Sequence, residues 1–571
     1  MRYLVLFSSL LSVSVVCGQL SGIVNAYSPV TAFPAPDQLT VVDVSPFAVG
    51  DRILIHQAQG AIIDQDNSPT YGDIQDIGGA GLFEFNVIQS ISGNTLTLQC
   101  PLYNTYGDPA NSGIQVVRVS YHTSDQTITG TITAPAWDGL KGGIVAIEVE
   151  GVLTFNSNID VRGKGFRGGP CSANQSNSSC GTLGTPNAYH GPISDTAGQK
   201  GEGVAIWPDP NHRACRGKIA NGGGGGNIHN TGGGGGGGAG SGGNGGWTTC
   251  GCVGNNSSFL PFSGWGYGGV GLSGYNTAST PRAFFGGGGG GGQQNNNEST
   301  DGGAGGGIVI LRAQKLAGND YSILAGGAQA SRTPAVCSGY PTEAGQDGSG
   351  GGGGGGTVIL YDMGSYLSKI IVDVSGADGG NTGFRIYPPG CAPCTNDHGP
   401  GGGGGGGFLL VSNPTISPQI IPNLAGGNPG NELTPCQQTS SSLNCTNCTN
   451  CITNTTDRIT RGATAGNSGT ILTNIDVTPV SNCPLAYRPK HPNQYHPQVA
   501  PPEVYRRSRT LLISISETTP YQLTDALGRV LESGLLLPQD TPYELNTLQN
   551  LPAGLYLLQL GEKTTPVFCL P

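Results

Sequence analysis

The chain has 571 residues, of which 101 are glycine and only 11% are charged, and its formal net charge is −10. Glycine far above the usual share of about 7% excludes an ordinary globular composition. The acidic balance excludes a phosphate backbone as a partner, so no nucleic acid is expected.

At about 150 residues per domain, the length suits roughly four domains. Residues 1–18 read as a signal peptide. Arg2 gives the positive start, Tyr3 to Val16 the apolar stretch, and Gly18 and Gln19 flank the expected cleavage. The rival reading is a lipoprotein lipidated at Cys17, against which Val16 is a bulky neighbour. No later apolar run reaches the ~18 residues of a membrane span, so no transmembrane segment is expected after leader removal.

Residues 19–135 read as an N-terminal β domain. Short alternating runs such as Arg52-Ile53-Leu54-Ile55 and Asn94-Thr95-Leu96-Thr97-Leu98 are punctuated by Val49-Gly50-Asp51 and Ser92-Gly93-Asn94.

Residues 136–435 carry an internal repeat. Apolar runs follow Gly143, Gly307, Gly356 and Gly407, with Val145, Val309, Val358 and Leu409 at matching places. Sixteen residues after these stand Val161, Ala325, Val374 and Ala425, and eighteen after them Gly163, Gly327, Gly376 and Gly427. A second apolar segment precedes each of these glycines. Such a unit cannot bury its apolar face alone, and stacking buries it. The expected fold class is therefore all-β, with a glycine-rich β-solenoid or parallel β-helix-like body; a multi-sheet β-sandwich is the competitor.

The seven-residue glycine runs 232–238, 286–292, 350–356 and 401–407, with the shorter 222–226, admit two readings. One is flexible linker. The other is polyglycine II packing, in which neighbouring segments supply all the hydrogen bonds. Seven residues at ~3.1 Å span about 22 Å, close to the ~20 Å of a six-residue strand.

Residues 436–507 read as a Cys-containing and Pro-rich linker. Disulfide candidates across the exported chain are Cys171, Cys180, Cys250, Cys252, Cys391, Cys394, Cys436, Cys445, Cys448, Cys451 and Cys483. Removing Cys17 with the leader leaves 15 of the 16 cysteines, an odd number.

The last segment, 508–571, reads as a compact β unit. Asp525 with Gly528-Arg529, followed by Leu551-Pro552-Ala553-Gly554-Leu555-Tyr556-Leu557, resembles the C-terminal sorting domain of type IX secretion cargo in Bacteroidetes. The resemblance implies a small immunoglobulin-like sandwich, the type IX machinery as a partner, and an extracellular or outer-surface address. There the cargo is released or anchored to lipopolysaccharide. The chain departs from the family's basic last strand, ending Pro566-Val567-Phe568-Cys569-Leu570-Pro571. The glycine-rich body loosely resembles surface adhesins of the same bacteria.

No catalytic, cofactor or metal residues are assigned. Cys445, Cys448 and Cys451 have metal-like spacing, but an oxidising compartment favours disulfides. Asp64-Gln65-Asp66-Asn67 starts like a calcium loop, yet Gln75 stands where the bidentate Glu belongs, so a turn is expected. Trp247, Trp265, Tyr267 and Tyr275 read either as glycan contacts or as core anchors. The expected function is a structural or adhesive surface protein, with cell-surface glycans as partners. The alternative is a polysaccharide lyase or hydrolase, whose one plausible nest would be Glu148, Glu150, Asp160 and Arg162.

Overall fold

A computed structural model describes residues 18–172, 187–194, 196–207, 209–248, 264–294, 299–330, 344–345, 347–382, 398–432 and 460–475, and the strands between 503 and 569. Of the expected leader, residues 1–18, all but Gly18 lie outside the described residues. The chain divides into two units, Met1–Lys490 and His491–Pro571.

The first unit begins with a closed barrel. Its strands run, in spatial order, Ala26–Ala35, Gln38–Val41, Thr95–Leu98, Phe83–Ser92, Arg52–Gln57 and Ile114–Arg118. Alternation sorts the side chains: Ile53 and Ile55 fill the barrel with Leu39, Ile88, Leu96 and Val116, while Leu54 and Val117 face outward into a second core. Among the described residues the one α-helical turn is Pro109–Ser112. The Asp108 carboxylate caps it, and Gly113 ends it at φ 56°.

The repeat forms a curled parallel sheet with two limbs. The first limb contains Ile144–Phe155, Ile308–Ala317, Thr357–Ser368, Phe408–Val411 and Thr470–Leu472. The second contains Ile159–Asp160, Ser322–Leu324, Ile370–Asp373 and Ile420–Asn423. Gln126–Thr133 joins the limbs, pairing Gln126 with Leu153 and Ile132 with Ile159. The register is the one read from spacing: Val145 pairs with Val309, Val309 with Val358, and Val358 with Leu409. These four residues meet Val161, Ala325 and Val374 in the core between the limbs. Each fully buried aliphatic side chain there contributes about 1.5–3 kcal/mol, so each coil stabilises the next.

The other face of the first limb packs on the barrel through the core that holds Leu54, Val117, Ile308, Ile359, Leu410, Phe284 and Phe285. Trp137, Phe166 and Phe285 pack there with ring centroids 5.3–6.3 Å apart.

Two stretches differ from the sequence boundaries. Gly18–Ile23, Ser120–His122 and Gln126–Thr133 fall in the region 19–135, yet they pair in parallel with the solenoid. Within the expected linker 436–507, Thr470–Leu472 extends the first limb, with Ile471 opposite Leu409. Glu503–Arg507 pairs antiparallel with Thr510–Ser514.

The glycine runs are ordered as a polyglycine II lattice. In the run 286–292, bonding rotates with a period of three. Gly286, Gly289 and Gly292 donate to Gly306, Gly303 and Thr300; Gly287 and Gly290 donate to Gly237 and Gly234; Gly288 and Gly291 donate to Glu202 and Gln199. Its carbonyls accept from Phe166, Gly169 and Ser172, from Gly223 and Gly226, and from Gly351 and Gly354. The runs 232–238, 350–356 and 401–407 are enclosed in the same way. Close approach makes glycine obligatory there: a Cβ on Gly289 would lie 2.1 Å from the Gly351 carbonyl oxygen. A net hydrogen-bond contribution of about 1 kcal/mol per N–H offsets the ~1 kcal/mol cost of ordering each glycine.

Among its described residues the second unit has seven strands in two antiparallel sheets. One is Glu503–Arg507, Thr510–Ser514 and Tyr543–Leu545; the other is Val530–Leu536, Thr519–Asp525, Gly554–Leu560 and Lys563–Cys569. The all-β class holds in both units. Among the described residues, no helix is long and apolar enough to cross a membrane.

Candidate functional site

The second limb continues into extended segments that form the outer row of the lattice. A polyglycine II helix repeats every three residues, so one side chain in three faces outward. Along 374–382 these are Ser375, Asp378 and Asn381; along 424–432 they are Ala425, Asn428 and Asn431. The positions between, including Gly376, Gly379, Gly380, Gly427 and Gly430, abut neighbouring backbone and carry no Cβ.

Adjacent rows are bonded across this face. Asn428 donates its backbone N–H (2.7 Å) and its side-chain amide (3.2 Å) to Asp378 Oδ1. The Asn431 N–H donates to Asn381 Oδ1 at 2.8 Å, and Asn423 Nδ2 to Asp373 Oδ1 at 3.2 Å. The Asn381 NH2 and the Asn431 side-chain amide bond to nothing among the described residues, so donors and an acceptor remain exposed.

On the same outer row, an open groove of about 570 Å³ is lined by Thr131, Thr133, Asp160, Arg162, Lys164, Gly327 and Ala328. Arg162 grips Asp160 through Nη2–Oδ2 at 2.6 Å and Nε–Oδ1 at 3.1 Å. Partial burial pushes the Asp160 carboxyl up, but the hydrogen bonds from Arg162 outweigh it and hold the group below the ordinary aspartate range. The whole face is a flat array of amides, carboxylates and hydroxyls, which can both donate to and accept from ligand hydroxyls.

The carboxylates weighed for catalysis do not form one nest: Glu148 and Glu150 share Arg52, and Asp160 lies apart from them. Val145, Ile147 and Val149 point into the core between the limbs, so Glu148 points to the other side of its strand. There it pairs with Arg52 (Nη1–Oε1, 2.5 Å) and Arg312 (3.6 Å). Glu150 sits beside Arg52 at 3.6 Å and accepts from the Tyr121 hydroxyl. Asp160 lies between Ile159 and Val161, which point into that same core from the second limb. Glu148 and Asp160 therefore face opposite sides of the coil.

The four candidate aromatics pack against protein. Trp247 stacks on Arg461 at 5.3 Å, Trp265 and Tyr267 on Arg216 at 5.2 and 4.8 Å, and Tyr275 leans on the core with its hydroxyl 3.5 Å from the Ile74 carbonyl. Asp64 closes a turn, accepting from the Asp66 N–H and the Thr70 hydroxyl.

Gly18 and Gln19 lie in the first strand, opposite Gln126 and Thr127. Cys171, a disulfide candidate, sits in the lattice beside Gly291 and donates its N–H to Asp301. Cys100, which the sequence did not single out, is disulfide-bonded. Cys180, Cys250, Cys252, Cys391, Cys394, Cys436, Cys445, Cys448, Cys451 and Cys483 lie outside the described residues. So do Gly528, Arg529, Leu551, Pro552 and Ala553 of the tail motif. Asp525 and Tyr556, one from each half of that motif, stand opposite each other in register, and Gly554 begins the Tyr556 strand. Among the described residues, no group of three His, Cys, Asp or Glu is arranged to hold a metal ion.

No protein-family model matches the chain, and no curated protein matches it. Among solved structures it is similar to the Gp54 tailspike of Acinetobacter baumannii bacteriophage AP22, determined in complex with A. baumannii capsular saccharide. The identity is 11% and the TM-score 0.13; the match covers 71% of this chain and 57% of the tailspike. The chain thus spans little more than half the length of the protein it matches.

Proposed function

We propose that this chain is an adhesive protein of the outer cell surface or the extracellular space, which binds glycans without cleaving them. The observation that carries the reading is the flat outer face. Asp373, Asp378 and Asn381 are bonded row to row with Asn423, Asn428 and Asn431, and a rigid glycine lattice holds them in place. Fixed amides and carboxylates lose little freedom on binding, which favours a repetitive polymer of hydroxyls. The separation of Glu148 from Asp160 removes the support for a hydrolase or lyase.

Export through the type IX system, and surface lipopolysaccharide as an anchor, belong to the same proposal. The Asp525–Tyr556 register supports them by drawing the two halves of the tail motif together. A glycan array run beside a reducing-sugar release assay tests the reading. Binding without release is the expected result; release of sugar ends overturns it.

A further inference from the structure

A second recess lies beside the outer face. It is a cleft of about 210 Å³ lined by Arg167, Gln199, Glu202, Trp207 and Arg213 over Gly168 and Pro170, with Lys200 behind. The extended segment 163–170 borders both sites. Lys164 lines the groove and Arg167 the cleft, one three-residue turn or about 9 Å apart. Pockets for drug-sized ligands run to roughly 300–1,000 Å³, so this cleft suits a single ring.

Its charge is unbalanced. Glu202 is neutralised by Arg167, which grips both carboxylate oxygens at 3.0 and 3.2 Å. Lys200 turns its ammonium to the carbonyls of Tyr189, Cys215 and Gly217, and burial lowers its pKa to about 7, so it offers the cleft neither a donor nor a standing charge. Arg213 is exposed, and its guanidinium lies 5.3 Å from the Trp207 ring centroid; no carboxylate among the described residues pairs with it. The Gln199 side-chain amide likewise bonds to nothing among the described residues. An aromatic face, a planar cation and an amide converge on one small space in a chain whose net charge is −10.

We propose that this cleft is a subsite for one carboxylate-bearing sugar unit of an acidic glycan, with the ring on Trp207, the carboxylate on Arg213 and a hydroxyl on Gln199. A guanidinium fork fits a carboxylate, and an indole face covers the apolar side of a ring. The inference rests on the glycan-binding reading and names the chemistry of one unit within it.

The test is calorimetric titration of the full chain with a galacturonic acid trisaccharide and with its neutral methyl ester. The free acid is expected to bind about tenfold more tightly, as befits a charge-assisted pair. Arg213→Gln, at an exposed position, is expected to erase that preference, and Trp207→Ala to weaken both probes. Equal affinity of the wild type for the two probes overturns the subsite, as does a preference that survives Arg213→Gln. If neutral polymers bind but the trisaccharides are not told apart, the subsite falls and the adhesive reading stands. If no glycan of either kind binds, both fall.

Discussion

Asp378 and Asn428, fifty residues apart in the chain, lie side by side: Asp378 Oδ1 accepts both the backbone N–H and the side-chain amide of Asn428. The carboxylate is thereby fixed in direction, and the next outward pair, Asn381 and Asn431, is set by the same spacing one turn on. A rigid row follows from two coils that share one register.

Replacing Asn381 and Asn431 together by Ala removes the Asn381 NH2 and the Asn431 amide from this face, along with the Asn381 Oδ1 that accepts the Asn431 N–H. Glycan binding is expected to weaken about tenfold, equivalent to about 1.4 kcal/mol. The unfolding free energy is expected to fall by only about 1 kcal/mol, the worth of the Asn431 N–H bond to Asn381 Oδ1. Parallel binding and thermal-denaturation measurements check this. Equal affinity of variant and wild type would remove the face from the binding site.

The lattice makes a separate prediction. Gly289→Ala places a methyl 2.1 Å from the Gly351 carbonyl oxygen, and the surrounding segments are all hydrogen-bonded. The expected loss is about 3 kcal/mol, the upper end for overpacking. Gly274→Ala is the control, because nothing lies within 4 Å of its Cβ position; it is expected to cost less than ~0.5 kcal/mol. Chemical denaturation compares the two, and indistinguishable midpoints would sink the lattice account.

Much of the solenoid was legible because its signal is local and periodic. Val145, Val309, Val358 and Leu409 recur at fixed distances from their glycines, and the strands pair in that register. Thr470–Leu472 escaped because the sequence has Tyr487 and Pro489, not an apolar aliphatic and a glycine, sixteen and eighteen residues after Ile471, although Gly469-Thr470-Ile471-Leu472 echoes Gly356-Thr357-Val358-Ile359. The order of the glycine runs was not legible, since a run such as 286–292 is linker or lattice depending on segments far away in sequence. The face was half-legible. Asp373 is one of the few charges on the repeat strands, but its bond to Asn423 needed the fifty-residue repeat carried beyond the apolar positions. The disulfide at Cys100 depends on tertiary proximity, which spacing does not encode.

Two buried groups in the barrel oppose each other with pH. His56 is fully buried; burial lowers its pKa to about 4, partly offset by its bond to the Ala283 carbonyl. Its contribution is complete above pH 6.5 and is lost as pH falls toward 4. That amounts to about 3 kcal/mol at 1.36 kcal/mol per unit. Glu84 is raised by burial to about 7, against the N–H groups of Tyr103 and Asn104. In the folded state it holds its proton between about 4.5 and 7, so its contribution falls as pH rises through that window. Burial also holds His122, His190 and His229 below the ordinary histidine range, so the two groups are read as differences from the wild type. Relative to wild type, Glu84→Gln should gain stability with rising pH between about 4.5 and 6.5, and His56→Gln should lose it. Urea midpoints at half-unit intervals read this, and two variants with the same slope would contradict it.

The last prediction concerns the tail. Gly554–Leu560 is bonded on both sides, with Leu558 opposite Leu523 on one neighbour and Thr565 on the other. Proline at Leu558 removes a ladder donor from an interior strand, at a cost of about 3 kcal/mol or more. Pro566 is tolerated because Lys563–Cys569 is the edge of that sheet. If this unit is the export signal, Leu558→Pro should leave the protein inside the outer membrane, while Thr564→Pro on the edge strand should still be exported. Immunoblotting of periplasm, surface and medium separates these outcomes. Normal export of Leu558→Pro would show that the folded tail does not carry the signal.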